Sequence, residues 1–238
     1  MAELIVAFDQ PSGREALALA DRLPGLGWAK IGPVLHVREG PPLVREFQAR
    51  GIRVFLDLKW HDIPSVVAGA VTAARDQGVA LATVHVLAGP AILAAAVAAA
   101  GAGGGTQAEG QLALVGVTVL TSHDTGDFER VVGRGVPDLG FEAERLARLA
   151  VAAGLVGVVA SGDELTLLRE ALGPSPWLVV PGIRAADEAA RDQKRTVTAA
   201  EAVRRGATHL VVGRPITRAT DPVRAYQQLR DAMASELA

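Results

Sequence analysis

Short apolar runs alternate with stretches of helical spacing from one end of the chain to the other. The runs lie at residues 4–8, 28–31, 53–58, 81–86, 112–119, 156–160, 177–180 and 209–212. Between and after them, residues 14–22, 42–50, 65–77, 91–100, 141–153, 163–172, 199–205 and 222–237 carry apolar positions three and four apart. Strands covered on both faces read as continuous apolar runs, and intervening helices make right-handed parallel crossovers. Eight such pairs predict an α/β fold, a single (β/α)8 TIM barrel over residues 1–238, with a doubly wound open sheet as the alternative. No segment reads as an interdomain linker. The glycine-rich residues 101–110 fall between a helix and the next strand and are expected to form a surface loop.

In such a barrel, function collects at the C-terminal ends of the strands and in the loops that follow. Polar residues gather there. Asp9 follows the first run, Lys30 ends the second, and Asp57 and Lys59 end the third. Thr118 and Thr121 follow the fifth, Pro181-Gly182-Ile183-Arg184 the seventh, and Gly213-Arg214 the eighth. Charged residues seldom interrupt buried strands without a reason.

Composition then narrows the chemistry. Half of the 238 residues are apolar, enough for one large core, and the formal net charge of −2 comes with no basic run. That argues against a nucleic-acid surface built on phosphate contacts. With no cysteine, disulfides, thiolate nucleophiles and thiolate metal sites are all excluded. The first residues lack the basic start and long apolar core of a signal peptide, and residues 91–100 are about half the length of a membrane span. A cytoplasmic enzyme is expected. The five histidines show no metal-ligand spacing, and no Gly-x-Gly-x-x-Gly follows a strand, so neither a metal site nor a dinucleotide site is expected.

Of the 24 basic residues only Lys30, Lys59 and Lys194 are lysine. Arginine replaces lysine wherever a solvated charge suffices, but it cannot replace an ammonium that must give up a proton. Lys59 is the strongest candidate for chemistry, two residues from Asp57 and three from Asp62. Strand alternation predicts Asp57 and Lys59 on one side, at the barrel mouth, with Leu56 and Leu58 facing the helices. Ile63-Pro64-Ser65 reads as a turn and helix start, which leaves Asp62 on the intervening loop. An Asp–Lys–Asp array aims the ammonium and surrounds it with fixed negative charge. At ~4 Å and an effective dielectric near 20, each contact is worth roughly 4 kcal/mol. Such an array suits loss of an anion and formation of a carbanion beside the ammonium. Gly213 and Arg214 fit a phosphate site, the glycine by close backbone approach and the arginine by its fork. The polar segment from Pro181 to Thr198 reads as a lid that carries Arg184 and Gln193 to the same phosphate, or as a solvated loop.

These residues resemble the orotidine 5′-phosphate decarboxylase family, in its shorter, bacterial-type branch. The resemblance rests on Phe-Leu-Asp-Leu-Lys-Trp-His-Asp-Ile-Pro at 55–64 and on Ala7-Phe8-Asp9, Lys30-Ile31-Gly32 and Thr83-Val84-His85. It continues through Thr-Val-Leu-Thr-Ser at 118–122, Pro181-Gly182-Ile183-Arg184, Asp192-Gln193-Lys194-Arg195 and Val-Val-Gly-Arg-Pro-Ile-Thr-Arg at 211–218. It spans nearly the whole chain in order. The resemblance implies a homodimer that converts orotidine 5′-phosphate to UMP and CO2 without metal or organic cofactor. It implies Lys59 as proton donor to C6, flanked by Asp57 and Lys30, with the partner's Asp62 completing the array. Asp9 and Lys30 would hold the ribose hydroxyls, Thr121 the pyrimidine, and Arg184, Gln193, Gly213 and Arg214 the phosphate. Two departures stand out: residues 101–110 are longer than the family expects, and Val86-Leu87-Ala88 replaces small residues after His85. Two other readings remain open, a sugar-phosphate barrel enzyme using Mg2+ and a non-catalytic phosphate-binding protein. Activity in EDTA separates the first, and a turnover assay the second.

Overall fold

The computed structural model describes residues 2–101, 111–184 and 197–236. Its strands are β1 (Glu3–Phe8), β2 (Trp28–Ile31), β3 (Arg53–Trp60), β4 (Leu81–His85), β5 (Ala113–Val117), β6 (Gly157–Val159), β7 (Trp177–Val180), β8 (Ile183–Arg184), β9 (Val197–Thr198) and β10 (His209–Val212). Eight of them close into a parallel TIM barrel in the order β1-β10-β7-β6-β5-β4-β3-β2, while β8 and β9 pair as a separate parallel ladder. Among the described residues, no helix is long and apolar enough to cross a membrane.

Strand alternation sorts the apolar residues into two cores. Leu4, Val6 and Phe8 point outward and pack with the helices, whereas Ile5 and Ala7 point into the barrel. The interior cluster is Ile5, Ala7, Trp28, Phe55, Leu81, Ala113, Val115, Val179 and Val211. Counting on by two along β1, β2, β3 and β4 gives Asp9, Lys30, Asp57 and Thr83 as the next inward positions. The polar layer at the mouth is therefore a continuation of the interior pattern. At β6, Gly157 permits close strand approach: a Cβ there would lie 2.1 Å from the Trp177 carbonyl oxygen.

Counting back by two gives the floor: Glu3, Arg53, Trp177 and His209. The Arg53 guanidinium stacks over Trp28 at 4.3 Å and pairs with Glu3 at 2.9 Å, and the Trp177 ring lies 4.4 Å from His209. Burial, reinforced by the charge of Arg53 and opposed by that of Glu3, pushes the His209 pKa down to about 4. Its ordinary value is near 6.5, so between those values the unfolded chain binds the extra proton. Stability from this site is intact above pH ~6.5 and declines as pH falls towards 4, by up to about 3 kcal/mol. His209→Gln should remove this slope. Denaturant unfolding of both proteins between pH 7 and 4 checks it: parallel curves would contradict the assignment.

The elements depart from the sequence pattern in definite places. The stretch read as a helix at 42–50 forms Pro41–Ala49, and an unpredicted helix, Pro33–Glu39, precedes it, the two separated by Gly40 (φ 61°). Thr125–Val132 forms an unpredicted helix, held by an Asp124–Asp127 capping box. The fourth strand ends at His85, where Val86–Ala88 turns into a 3-10 helix. The expected loop at residues 101–110 lies outside the described residues beyond Gly101, whose φ of 77° ends the helix Pro90–Ala100.

Candidate active site at the barrel mouth

The mouth is a line of alternating charges. Asp9 Oδ1 lies 3.6 Å from Lys30 Nζ, Lys30 Nζ lies 3.6 Å from Asp57 Oδ2, and Lys59 Nζ donates to Asp57 Oδ1 at 2.9 Å. Exposure grades across it. The Asp57 and Lys30 side chains are 14% and 11% exposed, Lys59 is 36% and Asp9 65%, so solute meets Asp9 and Lys59 first. Burial alone would raise the Asp57 pKa. The charges of Lys30 and Lys59, with hydrogen bonds from Lys59 and Thr83, outweigh burial and hold this carboxyl below the usual range. Asp57 is ionised at neutral pH.

Lys59 does not reach this position by regular alternation. Its φ is +52°, the one positive value among the described non-glycine residues. Leu56 pairs with Ala82 and Trp60 with Val84, so β3 bulges between them. A left-handed non-glycine residue costs on the order of 1–3 kcal/mol and persists only where its surroundings hold it. Leu56 and Leu58 face the helices, as the pattern predicts. Asp57 and Lys59 meet on the inner side, but the bulge is what turns the lysine back onto the carboxylate.

Asp62 stands apart. It is exposed on the turn after β3, its Oδ1 accepts the Ile63 N–H at 2.7 Å, and no ion pair joins it to Lys59 of the same chain. The helix Pro64–Asp76 begins directly after, with proline at the first position, where its missing N–H is harmless. Around the same rim, the His61 and His85 rings lie 5.5 Å apart. Burial, then the nearby charges of His61, Lys59 and His123, lower the His85 pKa to about 4. His85 is therefore neutral at pH 7, and its Nδ1 accepts the Leu87 N–H at 3.4 Å.

The other candidates surround this array. Gly213 caps the short helix Arg214–Thr217, and a Cβ there would lie 3.6 Å from Ala7 Cβ and 3.9 Å from Asp9 Oδ2. Arg214 thus starts a helix beside the Asp9 end of the charge line. The Arg184 backbone pairs with Thr198 in the β8–β9 ladder, and Gln193 lies outside the described residues. Thr121 is half-buried in the turn after β5. Thr118 is fully buried, and its hydroxyl donates to the Val159 carbonyl at 3.0 Å, a latch between β5 and β6. Sequence reasoning gives Thr83 no role, yet its hydroxyl touches both Lys59 and Asp57. The signal that finds it is the inward parity of β4.

A model described as Orotidine 5′-phosphate decarboxylase / HUMPS family matches residues 2–229. A protein from Halorhodospira halophila named orotidine 5′-phosphate decarboxylase is 48% identical over 237 residues, 99% of this chain and 95% of that protein. One of the same name from Alkalilimnicola ehrlichii is 47% identical over 234 residues, 98% and 97% of the two chains. The crystal structure of orotidine 5′-phosphate decarboxylase from Lactobacillus acidophilus superposes with a TM-score of 0.83 at 30% identity, covering 98% of this chain and 99% of that one.

Proposed function

This chain belongs to the orotidine 5′-phosphate decarboxylase / HUMPS family, and from that premise we propose how its mouth array carries the reaction. The enzyme converts orotidine 5′-phosphate to UMP and CO2, the last step of de novo UMP synthesis. The observation that carries the mechanism is the line Asp9–Lys30–Asp57–Lys59, whose innermost carboxylate is ionised between two ammonium groups.

Loss of CO2 leaves an electron pair in the plane of the pyrimidine at C6, where the ring delocalises it poorly. Stabilisation must come from charges already in place. Lys59 sits where the carbanion forms, stabilises it and then delivers a proton to C6. Asp57 lies against the leaving carboxylate, and its fixed charge favours departure. Lys30 keeps Asp57 ionised and, with Asp9, binds the ribose hydroxyls. Thr121 contacts the pyrimidine. Arg214, Gly213, Arg184 and Gln193 take the phosphate, and binding energy at that remote group helps to organise the reacting centre. No metal or organic cofactor enters this scheme. The same reading treats residues 1–238 as one barrel domain working in the cytoplasm.

The site is completed across a homodimer, with the partner's Asp62 beside Lys59. Two observations support this. Asp62 is exposed, and its carboxylate accepts the Ile63 N–H and makes no ion pair with Lys59 of its own chain. On the segments that follow the neighbouring strands β2 and β3, Val34, Val37, Ile63 and Val66 are 50% to 83% exposed. Large apolar side chains left exposed at the end of the barrel that carries the site favour a protein contact there.

Arg214→Ala tests the phosphate assignment. It should lower kcat and raise KM together, and the wild-type preference for the nucleotide over the phosphate-free nucleoside should shrink by roughly a hundredfold, the worth of a charge-assisted contact. A change in KM alone would show that the phosphate contact is uniform binding and does not organise the centre.

A further inference from the structure

We propose that Thr83 is a positioning residue whose hydroxyl fixes both the Asp57 carboxylate and the left-handed backbone of Lys59; the inference rests on the decarboxylase reading above. From Leu56 to Trp60 β3 advances four residues while β4 advances two, from Ala82 to Val84. Asp57, Leu58 and Lys59 therefore face a single β4 residue, Thr83. A regular ladder has no place for the extra N–H groups of a bulged strand, and a buried N–H without a partner is costly.

Thr83 supplies the missing partner from its side chain. The Lys59 N–H donates to Thr83 Oγ1 at 2.8 Å, and Thr83 Oγ1 lies 3.1 Å from Asp57 Oδ1. A hydroxyl has one proton and two lone pairs, and an ionised carboxylate only accepts. The directions are therefore fixed: backbone N–H to hydroxyl, hydroxyl to carboxylate. Asp57 Oδ1 accepts a second hydrogen bond from Lys59 Nζ at 2.9 Å, and Lys30 faces Oδ2. One hydroxyl thus closes a ring through the Lys59 main chain, Thr83, Asp57 and the Lys59 ammonium. Thr83 is fully buried, so water does not compete for it. Its branched β-carbon restricts χ1, which aims the hydroxyl more firmly than serine would.

The consequence is specific. Without the hydroxyl, the Lys59 N–H is unsatisfied, the left-handed turn loses its anchor, and Asp57 loses one of the bonds that hold it ionised. The ammonium and the carboxylate then drift with respect to the reacting carbon, while groups that bind ribose and phosphate keep their places. Chemistry should suffer and binding should not.

Three variants test this: Thr83→Val removes the hydroxyl at constant shape, Thr83→Ser keeps it, and Thr83→Ala differs from Thr83→Ser only by it. Thr83→Val and Thr83→Ala should lose about 30-fold in kcat with KM changed less than about threefold, as expected for one hydrogen bond to a charged group. Thr83→Ser should stay within about threefold of wild type. The acid limb of the kcat profile should move to higher pH in Thr83→Val, because its carboxylate has lost a donor. Crystal structures give a readout independent of turnover: Asp57 or Lys59 should shift in Thr83→Val and hold in Thr83→Ser. Where Thr83→Val does not fold, the Thr83→Ser and Thr83→Ala pair makes the same comparison. The proposal is overturned if Asp57 and Lys59 keep their positions without the hydroxyl, or if serine is as damaging as alanine. Failure of the wild-type protein to release CO2 would instead sink the decarboxylase reading, and the crystallographic comparison would still decide the role of Thr83.

Discussion

Lys59→Arg is expected to fold and assemble as the wild type does and to lose turnover by about a thousandfold or more, roughly 4 kcal/mol in barrier. The substitution keeps the positive charge, so Asp57 remains paired and ionised. It removes the one function arginine lacks, which is release of a proton at neutral pH. It also places a planar fork where the site holds a compact ammonium 2.9 Å from Asp57 Oδ1. The left-handed backbone is no more strained for arginine than for lysine, so loss of folding is not expected. Unfolding midpoints and kcat measured side by side separate the two effects. Turnover within about tenfold of wild type, a little over 1 kcal/mol, would remove Lys59 from the role of proton donor.

Mixing two dead variants should restore activity. If each site takes Lys59 from one chain and Asp62 from the other, Lys59→Ala and Asp62→Ala homodimers both lack a working site. A hybrid dimer carries one site with both defects and one with neither. Random equimolar exchange makes half the dimers hybrids, so activity per total protein should return to about one quarter of wild type. Mass spectrometry confirms exchange, and the assay follows it in time. No recovery after complete exchange would mean that Asp62 serves its own chain. The exposed Asp62 carboxylate and the exposed Val34, Val37, Ile63 and Val66 would then need another explanation.

Much of this site is legible in the sequence because a barrel strand has period two. Ile5 and Ala7 predict Asp9 at the mouth, Trp28 predicts Lys30, and Phe55 predicts Asp57, each by the same count. The scarcity of lysine in the sequence points to Lys30 and Lys59. What period two cannot show is a change of period. The bulge between Leu56 and Trp60 and the positive φ of Lys59 depend on a partner strand, and nothing local to residues 56–60 announces them. Thr83 is hidden for the same reason: a threonine in an apolar strand reads as a β-former until the bulge opposite gives its hydroxyl a purpose. The helix Thr125–Val132 escapes because it is short and mostly polar, with Phe128 its one buried residue. The helix Pro33–Glu39 escapes in the same way, being seven residues long with Leu35 its one buried residue.

The most direct measurement is CO2 release from carboxyl-labelled orotidine 5′-phosphate by the protein after dialysis against EDTA, with UMP quantified in the same vessel. The account predicts one CO2 for each UMP, sustained over many turnovers and indifferent to added Mg2+. Absence of release, or release that appears only when Mg2+ is restored, would contradict it.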